Sequence, residues 1–242
     1  MSLLKPRCEI IRPEITRLPP LTRIRRLTRC LIVWFLRRVV WICTRTSVKG
    51  LDNLPKQGAG LVVANHLGDA DLVIGLAFLR RTADVFAKAE LYDYPILGKI
   101  MEAYGVIWIH RGQPDRRALR AALQGFSEGR IIGIAPEGRE SLTGELEEGT
   151  GGAAYLALKQ DLPIIPVTFT GTENKRIYTN LKHLIRTEVT MTVGHPFRLV
   201  DQPNRKQAIQ QGTLAIMRAL AEQLPVAYRG VYLTDTIVKE RL

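Results

Sequence analysis

His66 and Asp71 stand five residues apart in "GLVVANHLGDAD", residues 60–71, where a short apolar run gives way to polar side chains. On a single helix the two would sit about 140° apart and could not meet. They can meet if His66 belongs to a loop after a strand and Asp71 to the first turn of the next helix, with Asp69 as the expected N-cap. An aspartate bonded to one imidazole nitrogen fixes the tautomer and leaves the other nitrogen as a base. The same spacing also suits two acids that merely cap a helix beside a polar loop histidine. The one G-x-S-x-G match, Gly125-Phe126-Ser127-Glu128-Gly129, closes an expected helix ahead of a strand, the reverse of the strand-to-helix turn of a nucleophile elbow, and a base without a protein nucleophile points to attack by the substrate's own hydroxyl.

Three further stretches carry candidate chemistry. "APEGRES", residues 135–141, ends an apolar run and puts Glu137, Gly138, Arg139 and Ser141 in one loop. A glycine there allows close backbone approach to a ligand, and an arginine offers a planar fork for phosphate. A strand-to-loop turn with a surface ion pair is the plainer reading. In "GVIWIHR", Arg111 leaves the end of a strand while His110 faces the other side as a structural residue. "LPIIPV", residues 162–167, has prolines flanking and punctuating a strand, which predicts a bent or edge segment.

The elements that must position these residues alternate. Strands are expected at 60–64, 83–87, 105–110, 130–135, 163–170 and 187–194, and helices at 71–80, 95–103, 114–127, 151–160 and 204–223. This order predicts an α/β domain with a mainly parallel central sheet flanked by helices. In such sheets ligands collect at the carboxyl ends of the strands, where His66 lies. A chain of 242 residues without internal repeats can bury a full core as one domain.

Charge is unevenly spread. Residues 1–50 hold twelve Lys or Arg against two Glu, which is +10 of the chain's net +12. Within them, "IRRLTRCLIVWFLRRVVWICT", residues 24–44, reads as a helix. At about 100° per residue, Ile24, Leu31, Phe35, Val39 and Ile42 fall in one arc, with Arg25, Arg26, Arg29 and Arg37 opposite. No uncharged run here approaches the roughly 18–20 residues that span a bilayer. Residues 1–46 are thus expected as a basic amphipathic segment at an anionic membrane interface, and 47–242 as the α/β domain. An ordinary packed helix is the alternative, and no DNA- or RNA-binding motif is present to favour nucleic acid. Cys8, Cys30 and Cys43 lack metal-ligand spacing, so free thiols in a reducing compartment are expected. Nothing predicts a metal or redox cofactor.

Taken in order, His66-x4-Asp71, Gly105-Val-Ile-Trp-Ile-His-Arg111, Pro136-Glu137-Gly138 and Leu162-Pro163-Ile164-Ile165-Pro166 resemble the four motif blocks of the glycerophospholipid acyltransferase family. Within that family the chain looks like the 1-acylglycerol-3-phosphate acyltransferase type. "FAKAEL…YPILG", residues 86–98, adds to the likeness, which runs from about Val48 to Val167. The resemblance implies transfer of a fatty acyl group from acyl-CoA or acyl-carrier protein to the hydroxyl of a lysophospholipid, 1-acylglycerol-3-phosphate before others, in phospholipid biosynthesis. His66 would be general base and Asp71 its partner. Lys88, Arg111, Glu137, Gly138 and Arg139 would bind substrate, with Arg111 near the phosphate. It also implies peripheral or monotopic attachment to the cytoplasmic face of a membrane. Two departures stand out. The family's E-G-T-R-S block is here Glu137-Gly138-Arg139-Glu140-Ser141, and the following "GELEEGTGG" brings Glu145, Glu147 and Glu148 where the family commonly has a base. Both weaken the case for a strongly anionic phosphate in the usual pose and leave a different lysophospholipid or another hydroxylated lipid open as acceptor. The alternatives are a glycerol-3-phosphate acyltransferase, a transacylase, or a non-catalytic lipid-binding protein.

Overall fold

The computed structural model describes residues 12–110 and 115–233. Arg111 and Cys8 lie outside the described residues. In chain order, α1 (Arg23–Cys43) leads into β1 (Thr44–Lys49), then β2 (Gly60–Ala64), α2 (Asp69–Phe78), β3 (Ala83–Lys88), α3 (Leu97–Tyr104) and β4 (Ile107–Ile109). The second half runs α4 (Arg116–Ser127), β5 (Ile131–Ile134), α5 (Gly152–Lys159), β6 (Ile164–Thr170), α6 (Asn174–Lys182), β7 (Thr187–Val193) and α7 (Arg205–Gln223).

The strands form one seven-stranded sheet in the order β1-β7-β6-β2-β5-β3-β4. β6, β2, β5, β3 and β4 are parallel; β7 is antiparallel to β6, and β1 is parallel to β7. The expected α/β architecture with a mainly parallel sheet is therefore present.

Alternation along β2 explains the layering. Leu61 and Val63 enter a core with Ala118 of α4, Leu156 of α5 and Ile216 of α7. Val62 enters the opposite core with Val40 of α1, Ile74 of α2, Tyr104 of α3 and Ile177 of α6. Removing a side chain such as Leu61 from water contributes about 1.5–3 kcal/mol. Because β2 delivers the chain to α2 on one face and its neighbour β5 delivers it to α5 on the other, the loops after these two strands diverge. That divergence opens a crevice at their carboxyl ends, the position where α/β sheets bind ligands.

The structure differs from expectation in three elements. β6 is an interior strand, paired with β2 on one side and β7 on the other, not an edge. Its Pro166 is accommodated because β7 pairing starts at Val167↔Val193, while Gly194 donates to the Pro166 carbonyl and the next cross-strand contact is Ile164↔Phe197. The missing N–H thus faces an interruption in its neighbour. α6 occupies a stretch in which the sequence pattern predicts no helix.

α1 differs in which side it buries. Arg29, expected on the solvated side, is 2% exposed. It pairs with Asp84, and its Nε and Nη2 donate to the carbonyls of Tyr104 (2.7 Å) and Gly105 (3.1 Å). Gly105 C-caps α3 in the left-handed region, φ 86°, which a glycine adopts freely. Around Arg29, Ile32, Val33, Leu36 and Val40 pack on the domain. The opposite side leaves Ile24, Leu27, Leu31, Trp34, Phe35, Trp41 and Ile42 exposed, with Arg23, Arg26 and Arg38 among them. Cys30 and Cys43 are free thiols. Among the described residues no helix is long and apolar enough to cross a membrane.

Candidate active site

β2 ends at Ala64, and the loop that follows is fixed from below. Buried Asn65 donates to the Phe169 carbonyl and accepts from the Phe169 N–H, spanning both hydrogen-bonding groups of one residue on β6. This clamp sets the direction in which His66 leaves the sheet. Its carbonyl accepts from the Ser141 N–H at 2.7 Å, which ties the loop after β2 to the loop after β5.

The imidazole and the carboxylate meet. His66 Nδ1 lies 3.0 Å from Asp71 Oδ2. The same oxygen accepts the N–H groups of Leu67 (2.6 Å) and Gly68 (2.9 Å). Gly68 is the N-cap of α2, so Asp71, in the first turn, supplies the capping carboxylate. Asp69, expected as the cap, is instead the first helical residue, and its carboxylate accepts from the Tyr178 hydroxyl. Asp71 is buried and His66 half-buried. An ionised carboxylate only accepts, so Nδ1 carries the proton and Nε2 keeps a lone pair. Glu140 Oε1 sits 4.0 Å from Nε2, beyond hydrogen-bonding distance.

Glu137 holds the loop rather than facing outward. It is 6% exposed. Its Oε2 accepts from the His66 N–H and its Oε1 from the Glu147 N–H, both at 2.9 Å. Burial pushes its carboxyl up to about 7, although these two N–H groups and His66 pull the other way. Gly138 turns the chain at φ 76°, and its N–H donates to the Ala135 carbonyl. The backbone donors of His66, Leu67, Gly68 and Gly138 are therefore all engaged within the protein. Arg139 pairs with Glu147 at 2.7 Å, and Glu147 also accepts from the Leu142 N–H. Lys88 is the last residue of β3, two strands from β2 along the same edge of the sheet.

The structure thus brings together His66, Asp71, Glu137, Gly138 and Arg139, and places Lys88 on the same rim. Arg111 follows the described end of β4. An open groove of about 560 Å³ lies beside this loop, lined by Glu137, Arg139, Glu145, Glu147, Glu148 and Val231 among others. It reaches Glu137 but not His66, so it borders the reacting centre rather than containing it. Among the described residues no group of three His, Cys, Asp or Glu side chains is placed to hold a metal.

Sequence reasoning missed Asn174 and Tyr178, both on α6. Asn174 Oδ1 accepts from the Asp69 N–H at 2.9 Å and its Nδ2 donates to Glu140 Oε2 at 3.0 Å. The only local signal was the spacing of Ile177, Tyr178 and Leu181, which suits a short helix.

A family model described as Acyltransferase matches residues 45–170 of the chain. The chain is 32% identical over 183 residues to the 1-acyl-sn-glycerol-3-phosphate acyltransferase of Borreliella burgdorferi, covering 74% of this chain and 71% of that protein. It is 29% identical over 131 residues to the chloroplastic 1-acyl-sn-glycerol-3-phosphate acyltransferase BAT2 of Brassica napus, covering 53% of this chain and 38% of the relative. In fold it is similar to the crystal structure of the 1-acyl-sn-glycerophosphate acyltransferase PlsC from Thermotoga maritima, with a TM-score of 0.60, 22% identity and 84% of each chain covered.

Proposed function

The chain belongs to the acyltransferase family, and from that premise we propose that it transfers a fatty acyl group from a thioester, acyl-CoA or acyl-carrier protein, to the hydroxyl of a lysophospholipid. The observation that carries this reading is the His66 Nδ1–Asp71 Oδ2 contact of 3.0 Å, with Nε2 4.0 Å from Glu140 Oε1 and the His66 side chain partly exposed. Nε2 takes the hydroxyl proton as the oxygen attacks the thioester carbonyl. Asp71 stabilises the imidazolium that results. When the tetrahedral intermediate collapses, the C–S bond breaks, the thiolate leaves and recovers the proton from Nε2. The ester is formed without an acyl-enzyme.

Lys88, at the end of β3, and Arg111, by its place in the sequence motif, are assigned to the acceptor's phosphate. Glu137 and Gly138 shape the loop that presents His66, and Arg139 braces it through Glu147. 1-Acylglycerol-3-phosphate, the acceptor in the relatives' names, is the first acceptor to try.

The substrates reside in a bilayer, so the crevice must approach one. β1 and β7 run opposite to the other strands, so α1 ends at the same edge of the sheet as His66. Its exposed apolar side chains and arginines suit an anionic interface, and peripheral attachment at the cytoplasmic face follows from this reading. The test of catalysis is His66→Ala. Loss of thiol release from the donor, with an unchanged melting curve, supports the reading. A folded variant that turns over at the wild-type rate refutes it.

A further inference from the structure

We propose that Glu140 selects the acceptor headgroup, favouring a lysophospholipid that bears an ammonium group over one that ends in a phosphate monoester. The inference rests on the acyl-transfer reading of the His66 site and concerns only which lipid that site accepts.

Glu140 is placed beside the nitrogen that must receive the acceptor's proton, with Oε1 4.0 Å from His66 Nε2. Its position is built rather than incidental. Oε2 accepts from Asn174 Nδ2, and Asn174 Oδ1 in turn accepts from the Asp69 N–H at the start of α2. The carboxylate is thus braced between the loop after β5 and the helix after β6, while its side chain stays 37% exposed to the crevice. A second carboxylate, Asp69, accepts from the Tyr178 hydroxyl at 2.7 Å on the same rim. Tyr178 registers both charges. Its phenol is pushed up to about 12, first by the bond to Asp69, then by burial, then by the charges of Asp69 and Glu140. The arginine just before Glu140 does not offset it, because Arg139 pairs with Glu147.

A hydroxyl in hydrogen-bonding reach of Nε2 brings the rest of its glycerol with it. In a 3-phosphoglycerol the phosphorus is only four bonds from the C2 oxygen, so a monoester's charges fall within several ångströms of the Glu140 carboxylate. At such separations near a protein surface, one extra negative charge changes affinity by about tenfold. A phosphodiester carries one charge fewer, and an ammonium on the headgroup turns the remaining interaction attractive.

The test uses the full chain, one thioester donor, and two acceptors with the same acyl chain, lysophosphatidate and lysophosphatidylethanolamine, each in uncharged detergent micelles so that the basic helix recruits neither. The wild type is expected to show a higher kcat/KM on the ethanolamine lipid. Glu140→Gln should shrink that ratio by about tenfold, mainly by lowering the KM for lysophosphatidate, and Glu140→Lys should invert it. Asn174→Ala, which frees the carboxylate, should move the ratio in the same direction by less. Damage to the fold would slow both acceptors alike and leave the ratio in place. A wild type that prefers lysophosphatidate, or a ratio unmoved in all three variants while transfer proceeds, overturns the role of Glu140 alone. No transfer to either acceptor by the wild type overturns the acyl-transfer reading with it.

Discussion

Replacing Asp71 by asparagine separates the two tasks that one carboxylate oxygen performs. Oδ2 accepts three donors, the Leu67 and Gly68 N–H groups and the His66 Nδ1–H. An amide oxygen in the same place can still cap α2, so most of the local structure survives. The amide nitrogen then falls where Oδ1 is, a buried atom without a hydrogen-bond partner among the described residues, at a cost of about 1–3 kcal/mol. The larger effect is on the imidazolium. A carboxylate about 4 Å from that charge centre is worth about 4 kcal/mol at an effective dielectric near 20, and losing it predicts a fall in kcat of about 10³-fold. If the amide turns over, its N–H₂ faces Nδ1 and the proton moves to Nε2, which lowers the rate further. Thiol release under saturating donor and acceptor gives kcat, and a melting curve reports the fold. Asp71→Ala is the companion variant, since it strips all three donors of a partner and should unfold well below the wild type. A folded Asp71→Asn protein with kcat within tenfold of the wild type would show that His66 does not depend on this charge, and the base assignment would fail with it.

Other variants probe separate links. Glu137 has a folded pKa of about 7 against an ordinary 4.5, so unfolding releases its proton between those values and stability falls as pH rises through the window. The group's contribution is whole below about pH 4.5 and lost by about 3 kcal/mol above pH 7. Urea midpoints against pH should therefore flatten in Glu137→Gln, and an unchanged slope would refute this. Arg29→Ala leaves the Asp84 carboxylate, 1% exposed, without its main partner. It should cost about 3–5 kcal/mol, softened by Arg130, which is 3.4 Å from the same carboxylate. Thermal unfolding within a degree of wild type would contradict that. Sedimentation with anionic vesicles at low salt should carry the protein down, and Leu31→Glu with Phe35→Glu should return it to the supernatant. A wild type that stays in the supernatant would remove the membrane role assigned to α1.

What the sequence determined by itself was local. The apolar run ending at Ala64, the His66–Asp71 spacing and the alternation of strand and helix patterns are all set within a dozen residues, and periodicity and capping act over that range. Most element positions in the sheet domain were legible for that reason, to within a few residues at their ends. Tertiary structure decided everything that needs two distant segments. Glu137 reads as an exposed loop acid until its oxygens are seen on the N–H groups of His66 and Glu147. Arg29 belongs by helical angle to the solvated side, and only the approach of Asp84, 55 residues away, makes its burial affordable. Pro166 suggests an edge, and only the break in its neighbour β7 permits an interior place. Asn174 reaches Glu140 across 34 residues, which no periodicity records. The common reason is that buried polar groups take whatever partner the packed chain brings, and their cost or gain exists only once water has been excluded.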